Sequence, residues 1–271
     1  MCKYEAARSK NMRPLPDGCQ KPLDRDSFLT EFKTDAYLDD FYTRVDDNAM
    51  KMVLAFLPNI VARIGEVGRV LDFGAGPTIH VAASFRNTAS EIYLADYLPQ
   101  NREELVRWCE GKSGFNWSVP LKMILTQEGN PLDDLNEMII LTRKKIHGVF
   151  HCNCLTSPSV EVSRRLQNNF DVVVTIFCVE YCCNTLEEYR AAIKNIADQV
   201  KPGGYLVMGG IMEETWCAFG GRTFTCLYIT SEDLFSALED SGLRVEDDRK
   251  CVFYEIDGMY MVCARKTTES L

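Results

Sequence analysis

The sequence predicts an α/β fold: a seven-stranded, mostly parallel sheet with helices on both faces. Three observations carry this. Short apolar runs alternate with amphipathic helical stretches, the pattern of strand–helix–strand crossovers. Residues Asp171-Val172-Val173-Val174-Thr175-Ile176-Phe177 are apolar without alternation, as a parallel strand covered on both sides requires. Two last strand-like runs flank Gly258 and predict an antiparallel closing hairpin.

Composition narrows the partners. The chain has 271 residues, 46% of them hydrophobic, enough for one large domain with a sizeable core. A net charge of -9 disfavours nucleic acid and anionic membrane surfaces and is compatible with a cationic small molecule. No stretch approaches the ~20 apolar residues of a membrane span, and the start, Met1-Cys2-Lys3-Tyr4-Glu5, carries no apolar signal region. Twelve cysteines without a secretion signal read as thiols in a reducing compartment, so a cytoplasmic location is expected. No Cys-x-x-Cys pair exists and no metal is expected. His151, Cys152 and Cys154 with Cys178 or Cys182 form the alternative, weighed against the ordinary packing of buried cysteine.

Taken in order, residues 1–22 carry Pro14, Pro16, Gly18 and Pro22 and predict a flexible arm before a single domain over 23–271. Asp26 or Ser27 is a candidate cap for a short helix with Phe28, Leu29 and Phe32. Asp35 is one for a helix over Ala36–Arg44, where Tyr37, Phe41 and Tyr42 share a face. Met50, Val53, Leu54, Leu57, Val61 and Ile64 recur at three- and four-residue steps and predict a helix over Asn48–Ile64, kinked or divided at Pro58. A strand, a glycine turn and a helix from about Pro77 to Asn87 come next, then a strand over Ile92–Asp96 and a helix over Gln100–Glu110. Residues 111–136 read as irregular, followed by a helix over Asn136–Ile146 and a strand over Gly148–Cys154. Beyond the apolar strand, a helix over Leu186–Val200 ends at Lys201-Pro202-Gly203-Gly204, and a strand covers Tyr205–Ile211. Met212–Tyr228 is an insertion, Ser231 a candidate cap for Glu232–Ser241, and the closing strands cover Leu243–Tyr254 and Met259–Arg265.

The chemistry gathers around Val70-Leu71-Asp72-Phe73-Gly74-Ala75-Gly76-Pro77-Thr78. A glycine turn after a strand lets backbone approach a ligand closely, and a helix N-terminus presents free N–H groups. Asp96 lies twenty positions beyond Gly76 at the tip of the next strand, placed to accept hydrogen bonds from ribose hydroxyls. The third glycine of a dinucleotide fingerprint is absent; Ile79 stands there. That argues against NAD or FAD, and so against a dehydrogenase. It allows a nucleoside cofactor without phosphates, with S-adenosyl-L-methionine the evident candidate.

These residues resemble the small-molecule amine N-methyltransferases that use S-adenosylmethionine and act on nicotinamide, phenylethanolamine and indolethylamine. The resemblance runs from about Asp26 to Lys266. It rests on Asp-Phe-Gly-Ala-Gly-Pro-Thr at 72–78, Ala95-Asp96-Tyr97 with Gln100-Asn101, Phe115-Asn116-Trp117-Ser118 and Glu128-Gly129-Asn130. Tyr189-Arg190-Ala191-Ala192 and Lys201-Pro202-Gly203-Gly204 add to it. It implies a Rossmann-like methyltransferase fold, with a helical lid over 23–66 and insertions over 111–147 and 212–230 shaping the substrate pocket. It implies cofactor contacts for Tyr37, Tyr42, Gly74, Gly76, Thr78, Asp96, Asn101, Asn153 and Cys154. The family usually has aspartate where Asn153 stands and often tyrosine where His80 stands.

On the substrate side, Glu180 follows the fourth strand, and Glu213-Glu214-Thr215-Trp216 follows the fifth. Both lie where ligands bind, beyond the carboxyl ends of parallel strands. The resemblance here is to the phenylethanolamine branch, which holds a cationic amine with acids. It implies substrate contacts for Tyr37, Glu180, Glu214 and Trp216, with Glu180 and Glu214 as the catalytic carboxylates. The nicotinamide branch typically has aspartate where this chain has Gly210 and serine where it has Cys226. The expected activity is methyl transfer to a small aromatic or aryl-alkyl amine by a monomer. The alternatives are nicotinamide methylation and a non-catalytic cofactor-binding homologue.

Overall fold

The computed structural model describes residues 22–245 and 249–268; the arm expected over 1–22 lies outside them except for Pro22. Parallel strands β1 (Val67–Phe73), β2 (Ala89–Asp96), β3 (Ile146–His151), β4 (Phe170–Ile176) and β5 (Val200–Ile211) form the centre of the sheet. A short hairpin, β6 (Trp216–Phe219) and β7 (Arg222–Thr225), stands apart as its own two-stranded sheet. The main sheet continues with β8 (Leu243–Arg244), β9 (Val252–Ile256) and β10 (Met259–Lys266) in the order β3-β2-β1-β4-β5-β10-β8. Strand β10 runs antiparallel to β5, β8 and β9. The sheet therefore has eight strands, not seven, because the expected strand over Leu243–Tyr254 divides into β8 and β9 on one edge of β10. The chain winds outward from β1 to β3 and then crosses to β4 on the other side of β1. The β1/β4 boundary is thus the topological switch point, where a crevice opens at the carboxyl ends of the strands.

Among the described residues, ten α-helices accompany the strands: α1 (Phe28–Glu31), α2 (Thr34–Tyr42), α3 (Asn48–Ile64), α4 (His80–Phe85) and α5 (Pro99–Cys109), then α6 (Ser118–Gln127), α7 (Leu135–Lys145), α8 (Val179–Cys182), α9 (Leu186–Ala197) and α10 (Ser231–Asp240). Asp47 caps α3, its Oδ1 accepting from the N–H groups of Ala49 at 2.9 Å and Met50 at 3.0 Å. The helix runs unbroken through Pro58, contrary to the expected division. Its buried stripe, with Leu57 and Ile60 fully enclosed, offsets the missing backbone hydrogen bond. Gly65 ends it at φ +79°, a conformation that favours glycine.

Other departures have local reasons. Residues 111–136 are not irregular throughout, since α6 places Leu121, Ile124 and Leu125 on a buried face. Pro120 falls in its first turn, where proline is tolerated. Gly220 and Gly221, at φ +58° and +68°, make the two-residue turn of the β6–β7 hairpin inside the segment read as an insertion. Pro202, Gly203 and Gly204 lie within β5 instead of ahead of it. Helix α4 begins at His80, three residues beyond Pro77. The first helical turn is capped by Asp24, and α2 begins at Thr34 with no side-chain cap from Asp35. Thr230, not Ser231, caps α10, in a capping box with Asp233.

Arg86 follows α4 and is 3% exposed. Its guanidinium grips the Glu128 carboxylate at the end of α6 with bonds of 2.7 and 2.5 Å, and it also donates to the Ala83 carbonyl at 2.7 Å. Removing one partner of a buried pair strands the other charge. Arg86→Ala is expected to destabilise the fold by about 3 kcal/mol, and the double Arg86→Leu/Glu128→Leu variant by less, both read from urea unfolding.

Candidate active site

A cavity of about 880 Å³ opens at the carboxyl ends of β1, β2 and β4. It is walled by residues of α1, α2 and β6. The turn after β1 forms part of its lining. Gly74 and Ala75 both donate their N–H groups to the Ala95 carbonyl at 2.9 Å, and Gly76 donates to Asp96 Oδ2 at 2.7 Å. These three amides are already taken by β2. With α4 starting only at His80, the turn does not present the free N–H groups expected of it, and it lacks the amide cradle that a phosphate would need. Gly74 stands at φ +74°, and a Cβ there would lie 2.3 Å from Cys178 Sγ, so no other residue fits.

Asp96 is buried. Its Oδ1 accepts from Leu98 N–H at 2.8 Å and Asn101 Nδ2 at 3.1 Å, and Asn101 Oδ1 accepts from the Thr34 hydroxyl at 3.0 Å. Burial raises the carboxyl above its usual range, while these donors work against the shift. Asn153 uses Oδ1 to accept from Leu155 N–H at 3.0 Å, and Cys154 is buried beside it. Tyr37, Tyr42, Gly74, Gly76, Thr78, Asp96, Asn101, Asn153 and Cys154 all line this one cavity.

Two buried polar atoms of cavity-lining residues, Asp72 Oδ2 and His80 Nε2, have no hydrogen-bond partner. Such atoms are rare unless a ligand or water completes them. The residues therefore fit a bound nucleoside with a polar tail. Asp72 is an acidic residue two positions before Gly74, a signal that the motif alone did not single out.

The structure separates the two acids expected to act together. Glu214 lines the cavity with Trp216, while its neighbour Glu213 is exposed at φ +57°. Glu180 does not line the cavity. It is 2% exposed behind the wall, where its Oε1 accepts from Ile211 N–H at 3.2 Å. Burial pushes its carboxyl up to about 7. The reason is local: α8 turns the side chain back toward β5, and Tyr181 takes the place on the cavity wall. Cys178, weighed in the sequence only as a possible metal ligand, lines the cavity too, as do Tyr181 and Cys217, which were not singled out from sequence. The thiol of Cys217 and the hydroxyl of Tyr181 are hydrogen-bonded, and burial pushes the thiol up to about 12.

The N-terminal segment closes over the hairpin. Leu23 exchanges backbone bonds with β7, donating to Thr223 O at 2.8 Å and accepting from Thr225 N at 2.9 Å. Arg25 donates to Glu188 at 3.0 Å, and Gly220 N–H donates to Asp40 at 2.6 Å. Phe32, Tyr37, Phe41 and Phe219 pack between them in tilted and edge-on ring contacts. The expected pocket insertions divide: residues of 212–230 line the cavity, but none of 111–147 does. The apolar residues of α6 and α7 are already taken up covering the sheet face beside α3, α4 and β2. Helix α3, expected as part of the lid, belongs to that core as well.

Two outcomes follow from this geometry. Gly74→Ala is expected to lower the melting temperature and weaken S-adenosylhomocysteine binding more than tenfold by titration calorimetry, an estimate of order 1–3 kcal/mol of backbone strain plus the clash with Cys178. For Glu180, the unfolded carboxyl titrates at 4.5 and the folded one near 7. The folded state therefore holds more protons between those values, and stability falls as pH rises through the window. Relative to Glu180→Gln, the wild type is expected to lose about 2 to 3 kcal/mol between about pH 5 and pH 8 in urea unfolding.

Comparison with known proteins agrees with this geometry. Residues 20–267 match the model of the NNMT/PNMT/TEMT family. The chain is 34% identical over 260 residues to a nicotinamide N-methyltransferase of Caenorhabditis elegans, covering 91% of this chain and 95% of that protein. It is 30% identical over 190 residues to human phenylethanolamine N-methyltransferase, covering 68% and 66% respectively. A solved structure of magnesium protoporphyrin IX methyltransferase from Synechocystis PCC 6803, with bound SAM, superposes with a TM-score of 0.55. At 12% identity, covering 92% of this chain and 100% of that one, it shows a shared fold. With nearly its whole length matched, this chain belongs to the NNMT/PNMT/TEMT family.

Proposed function

We propose that the acceptor of this S-adenosylmethionine-dependent N-methyltransferase is a small aromatic or aryl-alkyl amine, held as a cation at Glu214. The observation that carries this is the Glu214 carboxylate set among the cavity-lining rings of Phe28, Phe41, Trp216 and Phe219. Rings stack on an aryl group and favour a nearby cation. Glu214 also accepts its own chain's Thr215 N–H at 2.9 Å, which holds the carboxylate in place.

S-adenosylmethionine supplies an electrophilic methyl group on a sulfonium. Asp96 would hold the ribose, and Asn153 and Cys154 would border the adenine. Tyr37, Tyr42, Thr78 and Asn101 surround the remainder. Methyl transfer needs the amine lone pair aligned with the methyl carbon, so positioning supplies much of the rate. An alkylamine is mostly protonated at neutral pH and lacks that lone pair. Glu214 binds the ammonium and accepts its proton, directly or through water. Glu180 supports this from one layer back, across Ile211 and Tyr181. The reading extends to a monomer in the cytoplasm. No helix among the described residues is long and apolar enough to cross a membrane.

Nicotinamide is the second reading, favoured by the relative of that activity. The space above Gly210 weighs against it. A Cβ there would meet Glu180 Oε1 at 2.8 Å and the Tyr260 hydroxyl at 2.9 Å, so an aspartate at 210 would have to displace both side chains, and the glycine present offers no carboxylate to a carboxamide. The test is S-adenosylhomocysteine release against phenylethanolamine, tryptamine, nicotinamide and a thioether. Turnover of the two amines above nicotinamide is expected, and the reverse order would replace the first reading by the second. Glu214→Gln is expected to raise KM and lower kcat/KM for the amine about 10- to 100-fold, leaving S-adenosylhomocysteine affinity unchanged.

A further inference from the structure

Cys178, Cys182 and Cys154 line the cavity, and methyl transfer gives the first two no role. Cys178 precedes α8 and Cys182 ends it, with the Cys182 N–H donating to the Cys178 carbonyl at 3.1 Å. Their Sγ atoms lie 3.8 Å apart, and both residues are partly exposed. The Cys182 thiol is also hydrogen-bonded to Cys154. Among the described residues, no group of three or more His, Cys, Asp and Glu side chains is arranged to hold a metal ion. The chemistry open to the close pair is that of a dithiol.

Helix α8 is a single turn of four residues without a side-chain cap. Residues four apart on a helix hold their Cβ atoms about 5–6 Å apart, whereas a disulfide needs about 4 Å. Closing a bridge between Cys178 and Cys182 therefore deforms this turn, and two parts of the cavity move with it. Cys178 Sγ packs against Gly74, where a Cβ would collide with it, and Tyr181 stands on the cavity wall within the same turn.

We infer, resting on the cofactor assignment above, that Cys178 and Cys182 form an oxidisable dithiol, and that their disulfide and the bound cofactor exclude one another. The oxidant is a peroxide small enough to enter the emptied cavity. With hydrogen peroxide, one sulfur attacks as thiolate: an S–O bond forms, the O–O bond breaks, and the departing hydroxide leaves as water with the thiol's proton. The second sulfur then displaces the oxygen: the S–S bond forms, the S–O bond breaks, and a second water carries off the remaining thiol proton. The two sulfurs give up two electrons between them, and the peroxide takes both. A hydrogen bond to a neighbouring thiol, and then burial, hold each thiol above its usual range, so thiolate is scarce and the step is slow beside that of an activated cysteine. Bound cofactor fills the cavity and bars the oxidant. A bridge that draws Cys178 away from Gly74 in turn alters the surface that the cofactor meets.

The experiment treats the full chain with hydrogen peroxide, with and without S-adenosylhomocysteine, and maps disulfides by mass spectrometry of unreduced peptides. Cleavage after Glu180 separates the two cysteines, so only a bridge holds their peptides together. Cys183→Ser removes the adjacent thiol and leaves Cys182 as the one partner in its peptide. In that variant a Cys178–Cys182 link is expected without S-adenosylhomocysteine and is suppressed with it. Titration calorimetry is expected to show S-adenosylhomocysteine binding weakened at least about tenfold by peroxide and restored by a dithiol reductant. Cys182→Ser is expected to abolish the effect of peroxide. Absence of the link overturns the inference. So does a link formed with affinity unchanged, or a loss of affinity that Cys182→Ser does not prevent. Failure of the reduced wild type to bind S-adenosylhomocysteine overturns the cofactor reading instead, while the peptide map still decides the dithiol. Should either variant not fold, link and affinity are followed together through oxidation of the wild type. They are expected to change in proportion, and divergence overturns the coupling.

Discussion

Asp96 accepts hydrogen bonds from Gly76, Leu98 and Asn101, and through them it joins three parts of the molecule. One is the turn after β1, one is the start of α5, and the third, by way of Asn101 and Thr34, is the beginning of the lid helix α2. A carboxylate taken out of water is costly unless such donors satisfy it. The same bonds that make burial of Asp96 tolerable also shape the turn that a nucleoside must approach. Because the Gly74, Ala75 and Gly76 amides are turned toward β2, the site favours a neutral sugar over a phosphate.

The second half of the cavity is built by different forces. Here the wall is a set of aromatic rings brought together from α1, α2 and β6, backed by Phe224 of β7 and closed by the Leu23 pairing and by the Arg25–Glu188 contact. Ring packing is non-directional and adapts to ligand shape, whereas the hydrogen bonds to Asp96 are directional. The charge on the acceptor side comes from Glu214 at the wall and from Glu180 behind it, with burial holding the latter partly protonated near neutrality.

Much of this was legible in the residues. The unalternating run in β4 marks a strand buried on both faces, and the period of α3 sets its length to the residue despite Pro58. The glycine turn and Asp96 were legible as neighbours on one cavity wall, because their spacing is a property of one short crossover. The acids on the substrate side were legible as candidates only. Glu180 and Glu214 each follow a strand tip, yet one turns back to Ile211 N–H and the other reaches the cavity.

The local chemistry of the chain was enough to specify strands, helices, the tight bend at Gly74 and the carboxylate at the next strand tip. These depend on contacts between near neighbours, or on backbone geometry that only certain residues tolerate. The tertiary structure decided the rest: that β6 and β7 pair, that Leu23 seals onto residues some two hundred positions away, and that 111–147 covers the sheet and leaves the pocket to others. It also decided that the turn's amides are satisfied by β2 while Asp72 and His80 are left incomplete. Those outcomes depend on which groups remain unpaired after the chain has folded on itself. Long-range hydrogen bonding and burial set that remainder, and neither is written in the spacing of residues.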